Sequence, residues 1–313
     1  MRVGLLPVDS KRPNYALMKV STFYKAQGAE VELYTPFGRY DKVFMSKIFT
    51  FTPDWPHPVF NADEVERGGT GYDLSKRLPP EVDAAQPDYD LYGLDGRTAL
   101  GFLTRGCVRR CPWCVVPAKE GALAPYRDIE EVAVGGRDRV TLMDNNILAS
   151  DYGLGQVEKI ARLGLRVDFN QGLDARLIDG ETAALLARVR WLRYVRLACD
   201  APAQVGPVRE AVARLRRHGY RGDVFVYCLL GADIGETLSR VRSLAAMDPR
   251  VVPFGQPYRD FSRPAEPPQW QKDMAHWMNK RSVFRSVGFE DFEPRRGFRC
   301  RAHLAALEGA ERT

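Results

Sequence analysis

The chain has 313 residues, 45% of them hydrophobic and 27% charged, with a formal net charge of +6. That length suits two domains or one large domain with an appendage, with enough apolar residues to bury a substantial core. The opening MRVGLLPVDSKRPN has only a short apolar run before Pro7 and a series of charges. This excludes a signal-peptide core or a spanning segment there, so a cytoplasmic protein without a membrane partner is expected. The positive charge is a mild pointer to polyanionic partners.

In chain order, Val3–Leu6 reads as a short buried strand. An amphipathic helix over Tyr15–Gln27 follows, with Ala16, Leu17, Val20, Phe23 and Tyr24 on one face and Gly28 as its stop. Val31–Tyr34 and Lys42–Met45 read as two more strands, so residues 1–97 are expected to form a small open α/β lobe, flavodoxin-like, with a linker. Thr52–Gly96 is rich in Pro, Gly and Asp and is predicted to be irregular.

From Ala99 the pattern becomes regular. The stretches ALGFLT, RVTLMD, RVDFNQ, YVRLAC, DVFVYCLL and RVVPFG read as strands. Helices are predicted near Ile129–Val134, Gly155–Leu163, Gly180–Val189, Pro202–His218 and Gly235–Met247. This alternation predicts a parallel sheet with right-handed crossovers over residues 98–258, a partial (β/α)6 barrel rather than the closed eight-strand form. A proline-rich break, SRPAEPPQW, opens a C-terminal extension over residues 259–313.

Three of the six cysteines, Cys107, Cys111 and Cys114, follow the first strand of the alternating region. In a reducing compartment clustered thiols point to metal or redox chemistry, and the C-terminal end of a strand is where α/β sheets place active sites. A structural zinc site wants four ligands, and His57 and Cys199 are far away in sequence. Three thiolates on a four-iron cluster would leave one iron open, as a catalytic metal site requires. The plainer alternatives are a zinc knuckle completed by a distant residue, or chance clustering.

The motif Cys-x3-Cys-x2-Cys after the first strand of a six-unit βα array resembles the radical S-adenosylmethionine (SAM) superfamily. Trp113 stands where that family has an aromatic residue before its third cysteine. The run CPWCVVPAKEG also resembles the corresponding loop of tRNA methylthiotransferases and of cobalamin-domain radical SAM proteins. The resemblance covers Ala99 to about Tyr258. It implies that Cys107, Cys111 and Cys114 hold a 4Fe–4S cluster, with SAM chelating the open iron and an electron donor such as a flavodoxin or ferredoxin. Reductive cleavage of SAM would give a 5′-deoxyadenosyl radical that abstracts a substrate hydrogen.

The other strand ends supply the remaining candidates for cofactor contact. After strand two, Asp144 and Asn145 stand where the family usually has a Gly-Gly-Glu-like sequence against the amino group of SAM; a turn rich in Asp and Asn is the alternative. After strand three, Asn170, Gln171 and Asp174 need polar partners, which a cofactor, a substrate or an internal network would supply. Asp200 ends strand four. Gly231, Gly235 and Glu236 resemble the family's adenine-side turn with one extra residue, or else form an ordinary glycine turn at a helix N-terminus. Cys199 and Cys228 read as buried small hydrophobes and Cys300 as solitary, so no auxiliary cluster is expected.

Cobalamin-binding lobes of relatives carry Asp-x-His-x-x-Gly after the first strand. Here Asp9 is present, but Lys11 replaces the His and Asn14 the Gly, and a protonated amine does not coordinate a metal. Cobalamin is therefore not expected. Lys11 and Arg12 could instead meet an anion. In the extension, Trp270, Trp277, Phe284, Phe289, Phe292 and Phe298 interleave with Lys272, Lys280, Arg281, Arg285, Arg295, Arg296, Arg299 and Arg301. Rings plus cations suit single-stranded nucleic acid; packing of the rings against the barrel is the alternative. Arg188–Arg221, with nine Arg against one Asp and one Glu, reads as a solvated helical face. The expected function is a radical SAM enzyme of unknown substrate. A tRNA- or DNA-modifying enzyme and a non-catalytic iron–sulfur or zinc module remain as alternatives.

Overall fold

In the computed structural model, which describes residues 1–261 and 265–310, the chain begins with β1 (Arg2–Pro7), α1 (Tyr15–Ala26), β2 (Glu30–Leu33), β3 (Tyr40–Ser46) and β4 (Ala62–Gly68). These strands form a parallel sheet in the order β2-β1-β3-β4. Asn14, at the position of the missing glycine, is the N-cap of α1: its Oδ1 accepts from Leu17 N at 3.2 Å. Asp9 accepts from the amides of Ile48 and Phe49 and from Thr52 Oγ1.

The segment predicted to be irregular contains β4. Its sequence ADEVERG lacks an apolar run because it is a sheet edge, where charges rather than burial fix the register. Lys42 on β3 pairs with Glu64 and Glu66 on β4, at 2.9 and 3.0 Å. Part of the remaining segment packs on α1. It carries α2 (Pro80–Ala84), and the fully buried Lys19 of α1 donates to Asp83 Oδ1 at 2.8 Å and to the Tyr126 hydroxyl.

The second half runs β5 (Thr98–Gly101), β6 (Thr104–Arg105), α3 (Val116–Lys119), β7 (Ala124–Pro125), α4 (Ile129–Val132), β8 (Arg139–Leu142), α5 (Asp151–Leu163) and β9 (Arg166–Phe169). It continues with α6 (Gly180–Arg188), β10 (Arg190–Trp191), β11 (Val195–Ala198), α7 (Val205–Arg217), β12 (Val224–Leu230), α8 (Ile234–Ala245) and β13 (Val251–Pro257). The strands form parallel sheets β10-β9-β8-β5 and β11-β12-β13, joined by a parallel bridge between Leu173 and Leu197. All six predicted strands are present, in a mixed α/β fold with parallel sheets. The first is shorter than expected: the amides of Leu103 and Thr104 leave the ladder and donate to Asp144.

Alternation along β11 and β12 sorts the two faces. Val195, Leu197, Val224 and Val226 are fully buried in the main core. On the other face Tyr194 stacks on Phe225 with centroids 4.9 Å apart, and Arg196 forms a bidentate pair with Asp168, both contacts at 2.7 Å. Arg196 thus departs from the expected solvated basic face, and Arg216 likewise pairs with Asp248 at 2.9 Å.

The extension folds as α9 (Gln269–Asn279), α10 (Arg281–Ser286) and α11 (Arg301–Ala310). Ser262, Arg263 and Pro264 of the proline-rich break lie outside the described residues. Trp277, Phe289 and Phe292 are buried, and Trp277 Nε1 donates to Val287 O at 2.8 Å. Several tail cations are paired: Arg281 with Asp223, Arg295 with Asp273, and Arg301 with Asp291. Among the described residues no helix is long and apolar enough to cross a membrane.

Candidate metal centre

The cysteine loop leaves β6 and returns through α3 to β7, which pairs antiparallel with β6. Gly106 sits at φ +78°, and a Cβ there would meet Ala122 O at 2.1 Å, so the two arms approach closely only because this residue is glycine. Cys107 N donates to Gly121 O at 3.3 Å, and Cys114 N closes a turn onto Cys111 O at 3.0 Å. The three cysteines, with Arg109, Arg110 and Leu123, line a cavity of about 600 Å³.

Three strand ends reach this loop. From the end of β8, Asn146 Nδ2 lies 3.6 Å from Cys107 Sγ. From the end of β9, Asp174 Oδ2 accepts from Arg109 Nε at 3.0 Å. Asp174 Oδ1 accepts from Arg176 Nε at 2.6 Å. From the end of β11, Asp200 lies beside Trp113 of the loop and accepts from Leu229 N at 3.0 Å. Burial pushes the Asp200 carboxyl up, whereas Arg176 and Arg109 hold Asp174 below the usual carboxylate range despite its partial burial.

The remaining sequence candidates have visible partners. Both oxygens of buried Asp144 serve the strand break: Leu103 N donates at 3.0 Å, Thr104 N at 2.5 Å and Thr104 Oγ1 at 2.8 Å. Asn145 Nδ2 donates to Glu120 Oε2 at 2.8 Å. Gln171 is exposed. Gly231 O accepts from Gln271 Nε2 at 2.7 Å. Gly235 and Glu236 lie in the first turn of α8, where Glu236 pairs with Arg240 at 2.8 Å. Arg240 in turn donates to the carbonyls of Cys199 and Leu229.

Sequence reasoning passed over the residue that braces the loop. Glu120 accepts from Arg105 Nη2 at 2.7 Å, from Gly106 N at 2.9 Å and from Asn145. Its place after a stretch of small and apolar residues carries no metal-ligand signature, so only the fold exposes its role. Arg109 and Asn146 were likewise missed, each being a common residue type between stronger signals.

The residues fit a metal cluster on three observations. The thiols share one cavity. Cys107 Sγ has donors in Arg109 N, at 3.3 Å, and Asn146 Nδ2, the kind of contact that tunes an iron–sulfur cluster. Asn146, whose Nδ2 meets the Cys107 sulfur, has its Oδ1 buried without a hydrogen-bond partner, a costly state that a bound ligand relieves. No family model and no curated protein matches the chain.

Proposed function

We propose that this chain is a radical SAM enzyme in which Cys107, Cys111 and Cys114 hold a 4Fe–4S cluster at the strand ends of an open (β/α)6 barrel. The observation that carries this reading is the convergence of three strand ends, those of β8, β9 and β11, on one three-cysteine loop, through Asn146, Asp174 and Asp200. When bound, the cluster supplies the electron that cleaves SAM to a hydrogen-abstracting species. A flavodoxin or ferredoxin is the class of donor this chemistry calls for.

The chain's own residues have separable tasks. The three thiolates ligate, while Arg109 N and Asn146 Nδ2 donate to the Cys107 sulfur. The free Oδ1 of Asn146 is an acceptor for the cofactor's amino or hydroxyl groups, and Trp113 shields the loop on the Asp200 side.

Of the tail's rings, Trp277, Phe289 and Phe292 are buried and serve packing, while Trp270, Phe284 and Phe298 keep part of their surface open. The reading is tested by anaerobic reconstitution with iron and sulfide. About four irons and four sulfides per chain are expected. Loss of both is expected on Cys107→Ala, Cys111→Ala or Cys114→Ala, and retention on Cys228→Ala. One tightly held zinc without sulfide would overturn it.

A further inference from the structure

Cys300, solitary by its position in the sequence, has metal-ligating company in the fold. Asp273 on α9 meets Cys300 and His303 at the start of α11, and one ligand atom from each lies within 4.8 Å of the others. Cys300 is fully buried and Asp273 is 4% exposed, while the His303 side chain keeps 16% of its surface open. We propose that Asp273, Cys300 and His303 form a second metal site, for a single zinc ion with water in the fourth position, that ties the C-terminal helix to α9.

The geometry assigns each donor an atom. Residues 300 and 303 are three apart where α11 begins, so the thiol and the imidazole project from the same side. Asp273 Oδ1 is occupied by Gln269 Nε2 at 2.9 Å and by Arg295 Nη1 at 3.1 Å. Asp273 Oδ2 receives Arg295 Nη1 at 2.9 Å and lies 2.8 Å from His303 Nε2. Zinc would replace the Asp–His contact, taking Oδ2 and the Nε2 lone pair. Gln269 and Arg295 would remain on Oδ1, orienting the carboxylate as outer partners of metal ligands do.

The donor set selects the ion. Thiolate, imidazole and carboxylate together suit borderline-soft zinc, and oxygen-seeking magnesium or calcium does not take a thiol. Ligand atoms on a tetrahedral zinc lie roughly 3.3–3.8 Å apart, from bonds of about 2.0–2.3 Å, so closure from the present spacing needs small side-chain shifts. Binding expels the Cys300 thiol proton to solvent. The charges nearly balance: Zn²⁺ and Arg295 together exceed the thiolate and carboxylate by a single unit, at a site open to water through His303.

The site is independent of the iron–sulfur reading, and the test keeps the two apart. In full-length protein carrying Cys107→Ala, Cys111→Ala and Cys114→Ala, cobalt(II) is titrated in place of zinc. One cobalt per chain is expected, with tetrahedral visible bands and a thiolate-to-cobalt charge-transfer band. Zinc should displace the cobalt and raise the melting temperature. Adding His303→Gln should weaken cobalt binding by at least about 100-fold, and Cys300→Ser should abolish the charge-transfer band. If the loop variant does not fold, zinc is counted in iron-reconstituted wild type and in iron-reconstituted His303→Gln. Absence of the charge-transfer band, a band unchanged by His303→Gln, or equal zinc in the two reconstituted proteins would overturn the proposal.

Discussion

Arg109 Nε donates to Asp174 Oδ2 at 3.0 Å, linking the cysteine loop to the turn that follows β9. The same carboxylate receives Arg176 at 2.6 Å, so one buried acid positions two cations beside the thiols. An iron–sulfur cluster with its thiolates is anionic, and fixed positive charge nearby stabilises it and sets its potential.

Asp174→Asn breaks this arrangement without changing the side chain's shape. Iron retention against a chelator, or turnover at saturating SAM, should fall by about 10-fold, the low end of the effect of losing an outer partner of a metal ligand, because Asp174 holds Asn146 and Arg109 rather than a thiol. Unchanged iron retention and unchanged turnover would remove Asp174 from the site.

Glu120→Ala tests the brace of the loop. Its carboxylate holds Arg105, the Gly106 amide and Asn145, and removal leaves these donors unpaired. A loss of about 1–3 kcal/mol in unfolding free energy is expected, with faster proteolysis between residues 106 and 121.

The Asp168–Arg196 pair predicts a non-additive result. Arg196→Met leaves a buried carboxylate without its partner and should cost about 3–5 kcal/mol in denaturant unfolding. The double change Asp168→Leu with Arg196→Met should recover most of that loss, because an apolar pair of similar volume carries no desolvation penalty. Simple additivity of the two changes would show that the pair is not coupled.

Asp144 gives a pH signature. Burial pushes its carboxyl up from 3.8 to about 6. The folded state therefore holds this proton more tightly than the unfolded chain does. The stability it contributes is complete below about pH 4 and is lost as the pH rises through about 6, an effect of roughly 2–3 kcal/mol. Denaturant unfolding of cluster-free protein across that range should show a downward slope that Asp144→Asn flattens.

Trp277→Ala separates packing from recognition in the tail. The indole is 4% exposed and lies against Phe284 and Phe289. Truncation should cost about 3–5 kcal/mol, read as a lower melting temperature, with no change in affinity for single-stranded RNA.

The strands of the second half were legible in the sequence because buried parallel strands read as short apolar runs between helical patterns. β4 was not, since an edge strand of alternating charge offers no such run. The cysteines identified the loop, whereas its supports did not announce themselves: Glu120, Arg109 and Asn146 become neighbours only when the strand ends are brought together. The tail's rings and cations fit two readings in one dimension, with packing the plainer, and the fold shows packing for Trp277, Phe289 and Phe292. Cys300 looked isolated because its partners come from another helix, 27 residues away in Asp273, and from the next helical turn.

The central claim is the cleavage of SAM at the Cys107, Cys111 and Cys114 centre. Anaerobically reconstituted protein given SAM and dithionite should form 5′-deoxyadenosine and methionine, slowly in the absence of a substrate. Protein lacking the three thiols should form none. Cluster-loaded wild type that yields no 5′-deoxyadenosine with any reductant or candidate substrate would contradict the account and leave a non-catalytic iron–sulfur module in its place.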